Sequence, residues 1–216
     1  MDRGFERHRF PRRMSPRVLI VCEGQKTEFN YFSRLIQSAK LKCGAALIPR
    51  QCNGGSALVV VQCAVAIRDR DSDFDRRRGD VVYCVLDVEP HDPSKLASLS
   101  RAHSLAKREK MRLLLSNPSF EVWLLAHAGE FRRSFATPTA LDKEMQLRLG
   151  LSKQQLNQNP RQVEPLLQKI EEAIVNAKHV REEHFGRERD TSKANASTDV
   201  YTLASYILGQ TCILPE

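Results

Sequence analysis

The chain has 216 residues, 41% of them hydrophobic and 28% charged, which fits one globular core and is too short for two full α/β domains. No apolar run is long enough to span a bilayer, and the arginine-rich first residues are not followed by the apolar stretch of a secretory signal, so we expect a soluble, cytoplasmic protein without a membrane partner. The formal net charge of +8 favours a polyanionic partner such as nucleic acid, against the alternative of a merely basic surface.

Strands and helices alternate through the first half of the chain. Residues 1–16 are rich in arginine and interrupted by Pro11 and Pro16, which predicts a flexible basic arm. The elements predicted beyond the arm are a strand at 18–22, a helix from 27 that ends before 44, a strand at 46–48 broken by Pro49, a helix at 57–68, a strand at 81–86, a helix at 95–110 and a strand at 111–115. This alternation predicts a parallel sheet with helices on its faces.

The pattern after residue 119 is helical. Helices are predicted at 120–128, 139–149, 163–180 and 198–208, separated by prolines and by the polar stretch 186–197. We therefore predict an α/β protein in three parts. These parts are the basic arm over 1–16, a parallel-sheet core over 17–128 and a helical extension over 129–216 packed on that core.

Carboxylates follow two of the predicted strands directly. Glu23 ends the first strand, and Asp87 and Glu89 end the strand at 81–86. In an open parallel sheet such positions share one edge, and if strand geometry continues through Val88, the Asp87 and Glu89 side chains point the same way. Together the three would hold Mg²⁺, or Mn²⁺ in its place, for phosphodiester chemistry. The alternative is that each carboxylate caps a helix or faces solvent.

Neighbouring polar residues are weaker candidates. Lys26 is placed to approach a phosphate or orient Glu23, although a lysine before a helix is often only solvated. Glu28 is a further possible metal ligand, or a favourable charge in the first turn of a helix. His91 would ligate metal or carry a proton, or else lie on the surface or in packing.

Asn117 and Glu121 lie beside the end of the last predicted strand, where they would join the cleft as catalytic residues. Pro118 also makes this a natural helix start, so capping is their alternative role. The candidate nucleic-acid-binding residues are all arginines of the arm and of the charged loop before the third strand, namely Arg12, Arg13, Arg76, Arg77 and Arg78.

Three motifs follow one another along the chain. The first is IVCEGQKTE from Ile20 to Glu28, with Tyr31-Phe32 after it; the second runs from Leu86 to His91, and the third, SNPSFEVW, begins at Ser116. These motifs in this order resemble those of the RloB-like family, and the segment ASTDV, which begins at Ala196, is similar to a closing element of that family. The resemblance covers nearly all of the chain beyond the arm.

The resemblance implies a Toprim core, a domain found in topoisomerases, primases and nucleases that use magnesium. It implies acid/base or metal-binding chemistry for Glu23 and metal binding for Asp87 and Glu89, where Glu89 departs from the aspartate of the family pattern. It also implies a role in restriction-linked, abortive defence against phage, beside an ATPase partner.

We therefore expect a metal-dependent nuclease that acts on DNA or RNA. The main alternative is a non-catalytic nucleic-acid-binding or regulatory subunit of an ATPase-containing defence complex. Nucleotidyl transfer to a small nucleotide or RNA is a third possibility.

Overall fold

A computed structural model describes residues 16–24, 26–38, 46–52, 55–131, 133–135, 137–185 and 191–209. The strands are β1 (Arg17–Cys22), β2 (Ala46–Gln51), β3 (Val81–Asp87), β4 (Arg112–Asn117) and β5 (Ser197–Thr198). The helices are α1 (Thr27–Ser38), α2 (Ala57–Arg70), α3 (Pro93–Arg108), α4 (Glu121–Ala126), α5 (Pro138–Leu149), α6 (Lys153–Gln158), α7 (Glu164–Leu167), α8 (Ile170–Phe185) and α9 (Val200–Ile207). Short 3₁₀ turns occupy Arg76–Arg78 and Pro160–Val163. The predicted basic arm lies outside the described residues, apart from Pro16.

The strands form one sheet in the order β2-β1-β3-β4-β5, which confirms the predicted α/β fold. The first four strands are parallel, and β5 pairs antiparallel with β4. The register places Cys22 beside Val85 and Asp87 beside Ser116. The carboxyl ends of β1, β3 and β4 therefore meet at one edge, where parallel sheets place their functional groups.

Each face of the sheet buries its own set of side chains, because successive residues of a strand point to opposite faces. Leu19 and Val21 of β1 belong to the core under α2 and α3. Val18, Ile20 and Cys22 belong to the larger core, which includes residues of α1, α4, α8 and α9. Trp123 is fully buried in this larger core. A sheet covered on both faces explains why the strands read as continuous apolar runs.

The structure differs from the predicted elements in four places. Thr198 was predicted to begin a helix, yet Ser197–Thr198 form β5 and the helix α9 begins at Val200. β2 continues through Pro49. A proline is tolerated there because β2 is an edge strand, so the missing N–H does not interrupt hydrogen bonding between inner strands. The predicted helix at 163–180 is divided, since Pro165 occupies the first turn of a separate helix, α7. Helix α6 was not predicted.

None of the helices within the described ranges is long and apolar enough to cross a membrane.

Candidate functional site

The ends of β1 and β3 bring Glu23 and Asp87 into contact. The Asp87 backbone N–H donates to Glu23 Oε2 at 3.1 Å, and the Glu23 N–H donates to the Val85 carbonyl at 3.1 Å. The Phe120 N–H at the start of α4 donates to Asp87 Oδ1 at 2.9 Å. Both carboxylates are thus oriented by backbone groups that the sheet and α4 hold in place.

Two further carboxylates project from helix first turns into the same place. Glu28 of α1 is only 5% exposed and Glu121 of α4 only 4%. The Glu28 carboxylate lies against the α-carbon of Gly24, where an added β-carbon would overlap it. Ser119 donates a hydrogen bond to Glu121. Gly24 is needed because a residue with a β-carbon at this position would collide with the Glu28 carboxylate.

Burial and repulsion by neighbouring acids raise the pKa values of Glu23, Glu28 and Asp87. The pKa of Glu28 is raised to about 7, first by burial and then by the charges of Glu121 and Glu23, although its own backbone N–H opposes the rise. Burial also raises the pKa of Asp87 well above its usual range, with Glu28, Glu121 and Glu23 adding to it. Burial raises the pKa of Glu23 as well. The cluster is short of positive charge.

Two lysines, one from α3 and one from α6, supply part of that positive charge. Lys95 of α3 places Nζ 2.8 Å from Glu89 Oε2 and 3.7 Å from Glu23 Oε1. Lys153 of α6 places Nζ 2.7 Å from Glu121 Oε1. The sequence analysis missed both lysines. The position of Lys95, six residues after Glu89 in the next helix, was a usable signal, whereas Lys153 depends on how the unpredicted α6 packs.

Glu89 does not continue the strand. β3 ends at Asp87, and Glu89 has φ 46°, in the left-handed region that side chains other than glycine seldom occupy. Its N–H donates to the Pro118 carbonyl at 2.9 Å. The expected strand geometry through Val88 is therefore wrong, and the side chain of Glu89 is held by Lys95 instead. Such a conformation at a strand end is common at functional sites.

Within the described part of the chain, no three Asp, Glu, His or Cys side chains lie close enough to hold one metal ion. Carboxylate oxygens are nevertheless the donors that Mg²⁺ and Mn²⁺ take, and five acids here face two lysines. The donor set fits a hard divalent cation in its chemistry. The ligand set of Glu23, Asp87 and Glu89 stays a prediction.

Two connected cavities open onto these residues, with volumes of about 770 Å³ and about 330 Å³. Asp87, Lys153 and Asn157 border both. The larger cavity also reaches Glu89, His91 and α5, and the smaller one reaches Glu23, Lys26 and Glu28. The structure thus brings most of the predicted acidic residues, together with Lys26 and His91, to one cleft, and α5 and α6 form its second wall.

Other predicted residues lie elsewhere. Asn117 donates through Nδ2 to the carbonyls of Thr191 and Ser192, at 3.0 and 2.9 Å, so its side chain fastens the loop before β5 and borders neither cavity. Arg76, Arg77 and Arg78 precede β3, and the seven residues of that strand carry the chain about 20 Å to Asp87 at the opposite edge of the sheet. Arg12 and Arg13 lie outside the described residues.

The fold and the cleft together define an α/β protein with an acidic site at the carboxyl edge of a mostly parallel sheet. The chain belongs to the RloB-like family, whose model, described as RloB-like protein, matches residues 18–207. This match confirms the resemblance seen in the motifs. No curated protein and no solved structure matched the chain.

Proposed function

We propose that this protein is a metal-dependent nuclease-type effector that hydrolyses phosphodiester bonds of DNA or RNA in defence against phage. Membership of the RloB-like family suggests a defence-related protein. The observation that carries the proposal is the crowding of Glu23, Glu28 and Glu121 around Asp87 in one cleft. Burial and repulsion there raise the pKa values of Glu23, Glu28 and Asp87. Perturbed acids gathered in a cleft are typical of catalytic sites. An acid after β1 and another after β3 also supports a Toprim-like reading of the core.

Glu23, Asp87 and Glu89 would hold Mg²⁺ or Mn²⁺. When bound, such an ion stabilises negative charge on phosphate and lowers the pKa of an attacking water. The Phe120 N–H keeps Asp87 Oδ1 in position, and the Asp87 N–H keeps Glu23 Oε2 in position. Glu28, with a pKa of about 7, exchanges a proton at neutral pH beside them.

The basic excess of the chain would attract the polynucleotide, and an ATPase partner, as the family resemblance implies, would couple cleavage to a signal. The larger cavity, about 770 Å³, has the size of a pocket for a drug-sized ligand, so one nucleotide unit at a time would reach Asp87.

The test compares the parent with Asp87→Asn and Glu23→Gln on single- and double-stranded DNA and RNA, across Mg²⁺ and Mn²⁺ concentrations. Each variant keeps side-chain size and removes an ionic ligand, so we expect cleavage to fall about a hundredfold or more while substrate binding survives. Glu172→Gln, at an exposed position in α8, is the matched control. Parental cleavage rates in both site variants would remove this site from consideration.

A non-catalytic binding subunit is favoured by one observation, the pairing of Glu89 and Glu121 with Lys95 and Lys153. These ion pairs neutralise acids that the nuclease would use. If the parent binds polynucleotide but cleaves none of the four substrates with either metal, binding is the function.

A further inference from the structure

Lys153 reaches the acidic cluster from the second wall of the cleft. Its ammonium lies 2.7 Å from Glu121 Oε1, and its side chain remains 51% exposed while that of Glu121 is 6% exposed. The charges of Glu121, Asp87 and Glu28 all act on it. A half-exposed cation is therefore paired with a buried anion, and the lysine borders both cavities.

The backbone that carries Lys153 is fastened to α5 and to α1, and α6 is also capped at its own start. Its N–H donates to Asp142 Oδ1 of α5 at 3.0 Å. One turn later, Asn157 Oδ1 accepts a hydrogen bond of 2.6 Å from Thr27 Oγ1 at the start of α1. Ser152 and Gln155 cap α6 reciprocally, with bonds of 2.7 and 3.2 Å. The long side chain can move, but its origin is fixed.

Lys153 and Asp87 both border the two cavities. A ligand bound beside Asp87 in either cavity therefore has this lysine in the same lining. Lys95 differs, because it borders only the larger cavity and contacts two acids, Glu89 and Glu23. A lysine ammonium is a compact point charge on a flexible stem, and it is a common ligand of phosphate groups.

We propose that Lys153 exchanges partners: it neutralises the acids around Asp87 in the metal-free protein and binds the scissile phosphate once a divalent cation neutralises those acids. This assignment rests on the proposed function for its phosphate step only. The counter-cation step concerns the free protein. The exchange links metal binding to substrate binding through one side chain.

The first test measures Mn²⁺ affinity without nucleic acid, by electron paramagnetic resonance of the free ion, for the parent, Lys153→Met and Lys143→Met. Methionine keeps the apolar stem and removes the charge. Lys153→Met should bind Mn²⁺ about tenfold more tightly, because the ion no longer competes with an ammonium. Lys143 is exposed on α5 and borders neither cavity, so its variant should match the parent. Equal affinity in Lys153→Met and the parent would overturn the counter-cation step.

The second test measures single-turnover cleavage at metal concentrations that saturate each variant. Lys153→Met should cleave about a hundredfold more slowly than the parent, and Lys153→Arg, which keeps the charge, should recover part of the loss. Parental rates for Lys153→Met at saturating metal would overturn the phosphate step. Thermal unfolding of the same proteins identifies any variant whose fold is damaged, and Lys153→Gln then replaces it.

The two proposals fail in different ways. If the parent cleaves no polynucleotide, the nuclease proposal fails, and the Mn²⁺ comparison still decides the counter-cation step. If the parent cleaves and Lys153→Met shows neither tighter Mn²⁺ binding nor slower cleavage, only the assignment of Lys153 is wrong.

Discussion

Glu28 makes the stability of the protein depend on pH. Its pKa is raised from 4.5 to about 7 in the folded protein, so the folded state binds more protons than the unfolded state between these values. Its contribution is therefore fully present below pH 4.5 and is lost as pH rises through 7. The titratable groups that face it are Glu121, Lys153, Glu23, Asp87 and Cys22.

Glu28→Gln removes this titration. We expect the variant to gain stability over the parent as pH rises from 5 to 8, by roughly 3 kcal/mol, since one pKa unit corresponds to about 1.4 kcal/mol. Urea unfolding at several pH values measures the difference. Burial lowers the pKa of His127 to about 4. Acidification therefore destabilises the parent and the variant equally through His127, and this effect cancels in their difference. Parallel stability curves would show that Glu28 does not carry the proton.

Gly24 leaves the space that the Glu28 carboxylate occupies. Gly24→Ala would place a methyl group on that carboxylate and force it to rotate within a buried site. We expect a loss of about 1–3 kcal/mol in the free energy of unfolding. In a Glu28→Ala background the same substitution should cost little, so the double-mutant cycle should be strongly non-additive. Additive costs would mean that Gly24 is required for its backbone instead.

Some residues of the site could be predicted from the sequence and others could not. Glu23 and Asp87 were predictable, because a strand that is apolar throughout and ends in an acid places that acid at a known edge of the sheet. The position of Glu121 could be predicted from the start of its helix, whereas its ion pair with Lys153 could not. Lys153 was not predictable, since its place depends on contacts of α6 with α1 that no local pattern encodes.

At the scale of elements, α6 is fastened to α1 by the hydrogen bond from Thr27 to Asn157. Thr27 is 3% exposed, so Thr27→Val should cost about 1 kcal/mol of stability through the lost bond. If α6 positions Lys153, cleavage should also fall. Thr202→Val is the matched control, because the Thr202 hydroxyl bonds only to the Asp199 carbonyl beside its own helix, α9. Equal cleavage rates for the two variants would show that the hydrogen bond between Thr27 and Asn157 does not position Lys153 for cleavage.

β5 shows why Thr198 was assigned to a helix and not to a strand. The strand has two residues, too short for any alternation to be visible in sequence. It is held by contacts between distant parts of the chain: Asp199 Oδ2 accepts from the Leu115 N–H at 3.3 Å, and Ser116 and Thr198 hydroxyls lie 2.7 Å apart. Tertiary contacts of this kind override weak local propensity.

At the scale of the whole molecule, the strand–helix alternation was sufficient to predict a parallel sheet, because each apolar run must be buried on both faces. It was not sufficient to predict that the last part of the chain closes the cleft. α5 and α6 look like ordinary surface helices in sequence, and only their packing against α1 and α4 makes them the wall that faces Asp87.

The acidic cluster lies at the carboxyl ends of the strands, whereas Arg76–Arg78 lie before the start of β3, beside acids of their own loop such as Asp75. If these arginines bind polynucleotide, they contact phosphates about 20 Å from the acidic cluster.

Replacing both Arg77 and Arg78 by glutamine (Arg77→Gln with Arg78→Gln) should then reduce the slope of log affinity against log salt concentration by about 1.8 on duplex DNA, at 0.9 for each lost phosphate contact. The cleavage rate at saturating substrate should not change, because neither side chain borders the cleft. Lys143→Gln with Lys169→Gln removes the same charge from other exposed positions and serves as the control. The salt slope is measured by fluorescence anisotropy, with Ca²⁺ in place of Mg²⁺ to slow turnover. An arginine variant with the slope of the control would show that these side chains serve the ion pairs of their own loop, such as Arg78 with Asp75, and that the polynucleotide follows another path.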